Sequence, residues 1–118
     1  MKKTLDAVAF YKCLADDTRL RSLLLIAAEE ELCVCELTTA LNVIQPKISR
    51  HLAQLKQAEI LLDRRQGQWV FYRINPKLPE WAHTVLSATA TANASFLKKN
   101  LTRLNAMGDR PARAAACC

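Results

Sequence analysis

Pro46, four residues after Asn42, divides one helix-prone stretch into two. Proline has no backbone N–H and clashes with the preceding turn inside a helix, but it sits without cost in a helix's first turn. Asparagine tolerates the left-handed conformation that ends helices. The sequence therefore predicts a helix over Val34–Leu41, a tight turn over 42–45, and a second helix beginning at Pro46. Two short helices joined this closely form a helix-turn-helix pair. On a helical wheel Ile48, Leu52 and Leu55 gather on one face of the second helix, while Ser49, Arg50, Ala53, Gln54 and Gln57 lie opposite. Lys47 flanks that polar face, Gln45 precedes it, and His51 sits at the edge of the apolar face.

The rest of the chain arranges itself around this pair. Residues 4–13 read as a short helix that is apolar on most of its circumference. Asp16 is an N-cap for a helix running to about Glu29, with Leu20, Leu23, Leu24 and Ala27 on its core face. Ile60–Arg65 and Gln68–Ile74 are rich in β-formers and flank Gln66-Gly67, which predicts a β-hairpin. Val70, Tyr72 and Ile74 would face one side, and Phe71 and Arg73 the other. Pro79 to about Met107 reads as one long helix with an apolar stripe interspersed with small residues, suited to dimerisation. The fold class is mainly α with a small β-hairpin. Residues 1–107 form the DNA-binding and dimerisation domain, and 108–118 form a flexible tail.

Charge narrows the partners. Seventeen Lys and Arg face eleven Asp and Glu, a net charge of +6. Such a balance favours an anionic partner. The cations cluster: Lys47, Arg50, Lys56, Arg64, Arg65 and Arg73 share the segment 45–73 with only Glu59 and Asp63. The second helix of the pair and the basic tip of the hairpin thus point to double-stranded DNA, with Gln and Arg reading base edges and Ser and Lys holding phosphates. Gln45, Lys47, Ser49, Arg50, His51, Gln54, Arg64 and Arg65 are the candidate contacts. A membrane-surface role fits poorly, because the cations do not lie along one amphipathic face. The longest apolar run, Leu23–Ala28, falls far short of the roughly 20 residues a membrane span needs. Lys2 and Lys3 lead to Asp6 rather than to an apolar run, so the expected compartment is the cytoplasm. No triad, phosphate loop or carboxylate pair is present, and Gly67 and Gly108 are the only glycines, so an enzyme is not expected.

Four segments carry a family resemblance: Leu14-Ala-Asp-Asp-Thr-Arg-Leu20, Glu31-Leu-Cys-Val-Cys-Glu-Leu37, Gln45-Pro-Lys-Ile-Ser-Arg-His-Leu52 and Gly67-Gln-Trp-Val-Phe-Tyr-Arg73. Together, over residues 5–100, they resemble the ArsR/SmtB family of metalloregulatory repressors, and within it the arsenic-responsive operon repressors of bacteria. The resemblance implies a homodimeric winged helix-turn-helix protein. Such dimers bind a palindromic operator and leave it when metal or metalloid binds, with reading helices about 34–36 Å apart.

Cys33 and Cys35 are the expected inducer ligands. Five cysteines are an odd count for a disulfide framework, and soft thiolates select thiophilic As(III) and Sb(III). The helix start favours thiolate. In a regular helix, however, residues i and i+2 point roughly 200° apart. One ion can join both sulfurs only if the first turn is irregular or unwinds, which would disturb the reading helix. Related arsenic repressors carry a third cysteine three residues after the second, where this chain has Thr38. The third ligand stays open among Cys117, Cys118 and solvent thiol or hydroxide, while Cys13 reads as a small core residue. Relatives that sense cadmium, lead or zinc add N-terminal cysteines or paired Asp/His sites on the last helix. Here no cysteine precedes Cys13, and His83 stands alone on the last helix. A thiol redox switch at Cys33 and Cys35, or at Cys117 and Cys118, is the remaining alternative.

Overall fold

A computed structural model describes residues 5–112 of the chain. Six α-helices and a three-stranded antiparallel sheet follow in the order α1 (Ala7–Leu14), α2 (Asp17–Glu29), β1 (Leu32–Cys33), α3 (Val34–Leu41), α4 (Gln45–Gln57), β2 (Leu61–Gln66), β3 (Trp69–Ile74), α5 (Glu80–Ala92) and α6 (Lys98–Asn105). Side chains set the early boundaries. Asp6 caps α1 by accepting from the Val8 N–H, so that helix starts later than its apolar pattern suggested. Asp16 caps α2, accepting from the Arg19 N–H at 3.0 Å. Asn42 ends α3 in the left-handed conformation (φ 56°, ψ 47°), and Pro46 lies in the first turn of α4. The pair α3–α4 and the hairpin β2–β3 make a winged helix-turn-helix.

The sheet order is β1-β3-β2. β1 is too short to show any periodicity in sequence. It pairs Leu32 with Tyr72 and Cys33 with Phe71, which fixes the start of α3 against the wing. The hairpin turns at Gly67-Gln68, one residue later than expected, with Gly67 at φ +62° where a Cβ would be strained. Tyr72 and Ile74 pack on the core, while Phe71 on the other face is fully buried with the Arg64 guanidinium 4.7 Å above its ring. The core itself gathers Phe10, Leu23–Ile26, Leu37, Ile48, Leu52, Leu55 and Ile60, all essentially inaccessible.

The expected single helix over 79–107 is broken. Asn93 leaves helical geometry (φ −125°, ψ 47°), and both its backbone N–H and its side-chain amide donate to the Thr89 carbonyl. Asparagine competes for backbone hydrogen bonds in this way wherever packing does not forbid it. A 3₁₀ turn at Ala94–Leu97 follows, and α6 packs against α3. Arg21 secures this turn: its Nη1 donates to the Phe96 carbonyl (2.5 Å) and to Asn100 Oδ1 (2.8 Å), and its guanidinium covers the Phe96 ring at 3.9 Å. The buried Asn100 amide donates to the Ala40 carbonyl (2.9 Å), at the end of α3. Among the described residues no helix is long and apolar enough to cross a membrane.

Residues 108–112 do not behave as the free tail the sequence suggested. Arg110 donates to Glu36 and Glu29, Pro111 is buried, and the Ala112 carbonyl accepts from Gln66 at 2.8 Å. A fully buried Glu36 carboxylate needs a cation, and Arg110 supplies it. The remaining residues, 113–118, lie outside the described part.

Asn100 joins α6, α2 and α3 through one amide. Asn100→Ala leaves the Arg21 and Ala40 groups short of a partner and is expected to cost about 1–3 kcal/mol. Urea unfolding checks this; a change under about 0.5 kcal/mol, the range of ordinary surface substitutions, would show the amide to be dispensable.

Candidate metal centre and nucleic-acid interface

Cys33 is not part of the helix that follows it. It is the N-cap of α3, in extended conformation (φ −93°, ψ 168°), because its backbone still belongs to β1. Leaving the helix frees its side chain from the helical spacing, and the Cys33 and Cys35 Sγ atoms lie 2.7 Å apart. The irregular first turn that shared ligation demands is thus present without any ion. The corollary that binding must unwind α3 to bring the sulfurs together does not hold.

The N-cap is a capping box with cysteine in the usual serine place. The Glu36 N–H meets the Cys33 side chain, and Glu36 Oε1 accepts from the Cys33 N–H at 2.9 Å. The other Glu36 oxygen, Oε2, accepts from Arg110 Nε at 2.6 Å, and Arg110 Nη2 reaches Glu29 Oε1 at 3.2 Å. Thr38, in the position of the family's third cysteine, donates its hydroxyl to the Cys35 carbonyl at 2.8 Å.

Thiolate is not favoured at Cys33, contrary to the helix-dipole expectation. Burial and the hydrogen bond with Cys35 push its thiol up to about 12, and the Glu36 charge adds to the rise against the opposing Glu36 N–H. Desolvation at a 1% exposed sulfur outweighs one helix end. Among the described residues no group of three or more Cys, His, Asp or Glu is placed to hold a metal ion. Cys13 is half-buried on α1, and burial raises its thiol while the Arg19 charge opposes the rise. His83 on α5 has its Nε2 3.4 Å from the Pro76 carbonyl. Cys117 and Cys118 lie outside the described residues.

On α4 the sequence-selected face divides. Gln45, Lys47, Arg50 and Gln54 are exposed and Ser49 is half-exposed. His51 is not on that surface: it is buried, with Nδ1 3.3 Å from Arg19 Nη1 and Nε2 3.8 Å from Asp16 Oδ2. Arginine cannot accept a hydrogen bond, so Nδ1 accepts and the ring proton sits on Nε2 facing Asp16. Asp16 itself is held below the ordinary carboxylate range, first by the Arg19 N–H. On the wing, Arg65 is exposed but Arg64 is committed inward. Its fork binds Glu31 twice, Nε to Oε2 at 2.6 Å and Nη2 to Oε1 at 2.7 Å, and a further nitrogen reaches Gln66. Such a bidentate pair uses up the geometry a phosphate would need.

Arg19, which is not among the core-face residues of α2, carries a role that sequence reasoning did not find. Its guanidinium donates to the Lys12 and Cys13 carbonyls, to His51 and to Gln54 Oε1 (3.1 Å), and so ties α1 and α2 to the exposed face of α4. No short-range pattern carries this signal, because Gln54 is 35 residues away.

Known proteins resemble this chain in sequence and fold. The family model described as "Bacterial regulatory protein, arsR family" matches residues 16–61, from the Asp16 cap to the start of the wing. The arsenic resistance transcriptional regulator ArsR1 of Pseudomonas putida is 55% identical over 117 residues, 99% of this chain and 91% of the relative. The arsenical resistance operon repressor of Escherichia coli is 46% identical over 105 residues, 86% of this chain and 90% of the relative. The solved structure of the AntR antimony-specific transcriptional repressor matches with a TM-score of 0.63 and 27% identity, over 80% of this chain and 87% of that one. With near full-length likeness and the same winged helix-turn-helix, the chain belongs to the ArsR family of bacterial regulatory proteins.

Proposed function

We propose that the chain is an arsenic- and antimony-responsive repressor that binds double-stranded operator DNA as a homodimer in the cytoplasm and is released when As(III) or Sb(III) binds Cys33 and Cys35. One observation carries this: two sulfurs converge at the first residues of α3, the helix that supports the reading helix. The arsenic and antimony named for close relatives agree with it. Gln45, Lys47, Ser49, Arg50 and Gln54 on α4, with Arg65 on the wing, are the DNA contacts. His51 and Arg64 act behind them, holding α4 and the wing in place. The homodimer is supported by an apolar patch on α1 and α5: Val8, Tyr11 and Trp81 are 60%, 51% and 38% exposed, and the Tyr11 and Trp81 rings stack at 6.3 Å. The third metalloid ligand is Cys117, Cys118 or a solvent group.

The neutral Cys33 thiol favours arsenite over a divalent cation. At neutral pH arsenite is As(OH)3. For each ligand one As–O bond is replaced by one As–S bond, and the thiol proton leaves with the hydroxyl as water. A divalent metal must instead expel the proton into solvent against a raised pKa.

Three outcomes follow. Cys33→Ser and Cys35→Ser should each weaken arsenite-driven release of a fluorescent operator duplex by about tenfold or more, within the usual span of allosteric coupling; release unchanged in both variants would remove the assignment, and release by peroxide alone would favour thiol oxidation. Arsenite affinity should be nearly flat between pH 6 and 8, whereas cadmium affinity should rise toward about tenfold per pH unit for each proton displaced. Calorimetric titrations at several pH values check this, and a steep arsenite dependence would contradict it. Arg50→Ala should cost roughly 1–3 kcal/mol in operator binding if it reads a base, or lower the salt slope by about one if it holds a phosphate. A variant with wild-type affinity and slope would take Arg50 out of the interface.

A further inference from the structure

The chain beyond α6 closes a circuit between the cysteine pair and the wing. α6 packs along α3, and the chain from α6 to Arg110 holds both ends of α3. Asn100 Nδ2 and Arg103 Nη1 donate to the Ala40 carbonyl at the end of α3, at 2.9 and 3.3 Å. At the start of α3, Arg110 holds Glu36, the residue whose other oxygen holds the Cys33 N–H. Two residues on, the Ala112 carbonyl accepts from Gln66 Nε2, at the last position of β2 before the hairpin turn. Pro111 between these contacts is buried, so the segment is seated rather than merely adjacent.

We propose that Arg110 is a positioning residue of the cysteine site, and that residues 107–112 form a strap coupling that site to the DNA-reading wing. The inference rests on Cys33 and Cys35 being the inducer ligands. An ion joining both sulfurs replaces the direct Cys33–Cys35 contact with two ion–sulfur bonds, so binding acts on the position of the Cys33 side chain. Cys33 is held on one side by its β1 register with Phe71 and on the other by the Glu36 capping box. A shift of Cys33 is passed to the Glu36 capping box it belongs to, and through Glu36 to Arg110 and the Ala112–Gln66 contact. Linkage makes the effect reciprocal: a wing seated on DNA holds the strap down and disfavours the ion-bound site.

The test compares arsenite affinity for the free dimer with that for the same protein on its operator duplex, in wild type, Arg110→Ala, Arg110→Lys and Gln66→Ala. A wild-type ratio in the range of about 5–150-fold is expected, falling toward unity in Arg110→Ala and Gln66→Ala, with Arg110→Lys between them. Loss of folding stability alone does not move this ratio. Gln66→Ala also removes the Arg64 contact but leaves the Arg64–Glu31 and Arg110–Glu36 pairs in place, so it decides the question even if Arg110→Ala folds poorly. Wild-type ratios in both alanine variants would overturn the strap and leave the repressor function standing. A wild-type protein whose DNA affinity ignores arsenite would overturn both.

Discussion

The Glu36 carboxylate is completely buried, and its two oxygens are divided between the Cys33 N–H and the Arg110 guanidinium. An ionised group in that position is tolerable only because both oxygens are satisfied. Much depends on this arrangement. It ends β1 and begins α3 at a single residue, Cys33, and so takes that side chain out of helical spacing. It keeps the sulfur buried, neutral and facing Cys35. It also pins the segment after α6 to the start of the helix-turn-helix. A substitution that removed either partner would leave a buried charge behind the pair of thiols.

Ionic contacts elsewhere separate what holds the reader from what is free to meet DNA. Arg19, Arg21 and Arg64 each spend their guanidinium on carbonyls, carboxylates or rings of the protein itself. Lys47, Arg50 and Arg65 remain exposed. A count of basic residues between 45 and 73 treats Arg64 like Lys47, Arg50 and Arg65, yet their roles in the proposed repressor differ. Arg19 holds α4 and Arg64 holds the wing, Arg21 ties α2 to α6, and in the proposed repressor the outer cations would supply the attraction to phosphate.

The parts of the fold written in local chemistry were legible in the sequence. Asp16, Asn42 and Pro46 mark helix ends through their own backbone preferences, and the hairpin shows in its β-branched and aromatic residues around Gly67. What stayed hidden depends on partners distant in sequence. β1 exists only because Leu32 and Cys33 find Tyr72 and Phe71. The break at Asn93 is stabilised by Arg21, and the strap by Glu36, more than seventy residues from their partners. The cysteine pair was visible as a soft-ligand motif, but regular helical spacing was applied to it although Cys33 lies just outside the helix, at its cap. Periodicity and charge likewise gave no sign of Arg19 as the partner of His51 or of Glu31 as the partner of Arg64.

Arsenic-edge X-ray absorption on protein loaded with one equivalent of arsenite measures the central claim at the ion itself. Sulfur scatterers in the first coordination shell are predicted, with their number falling when Cys33 or Cys35 is replaced by serine. A shell of oxygen alone, or one unchanged by both substitutions, would contradict it.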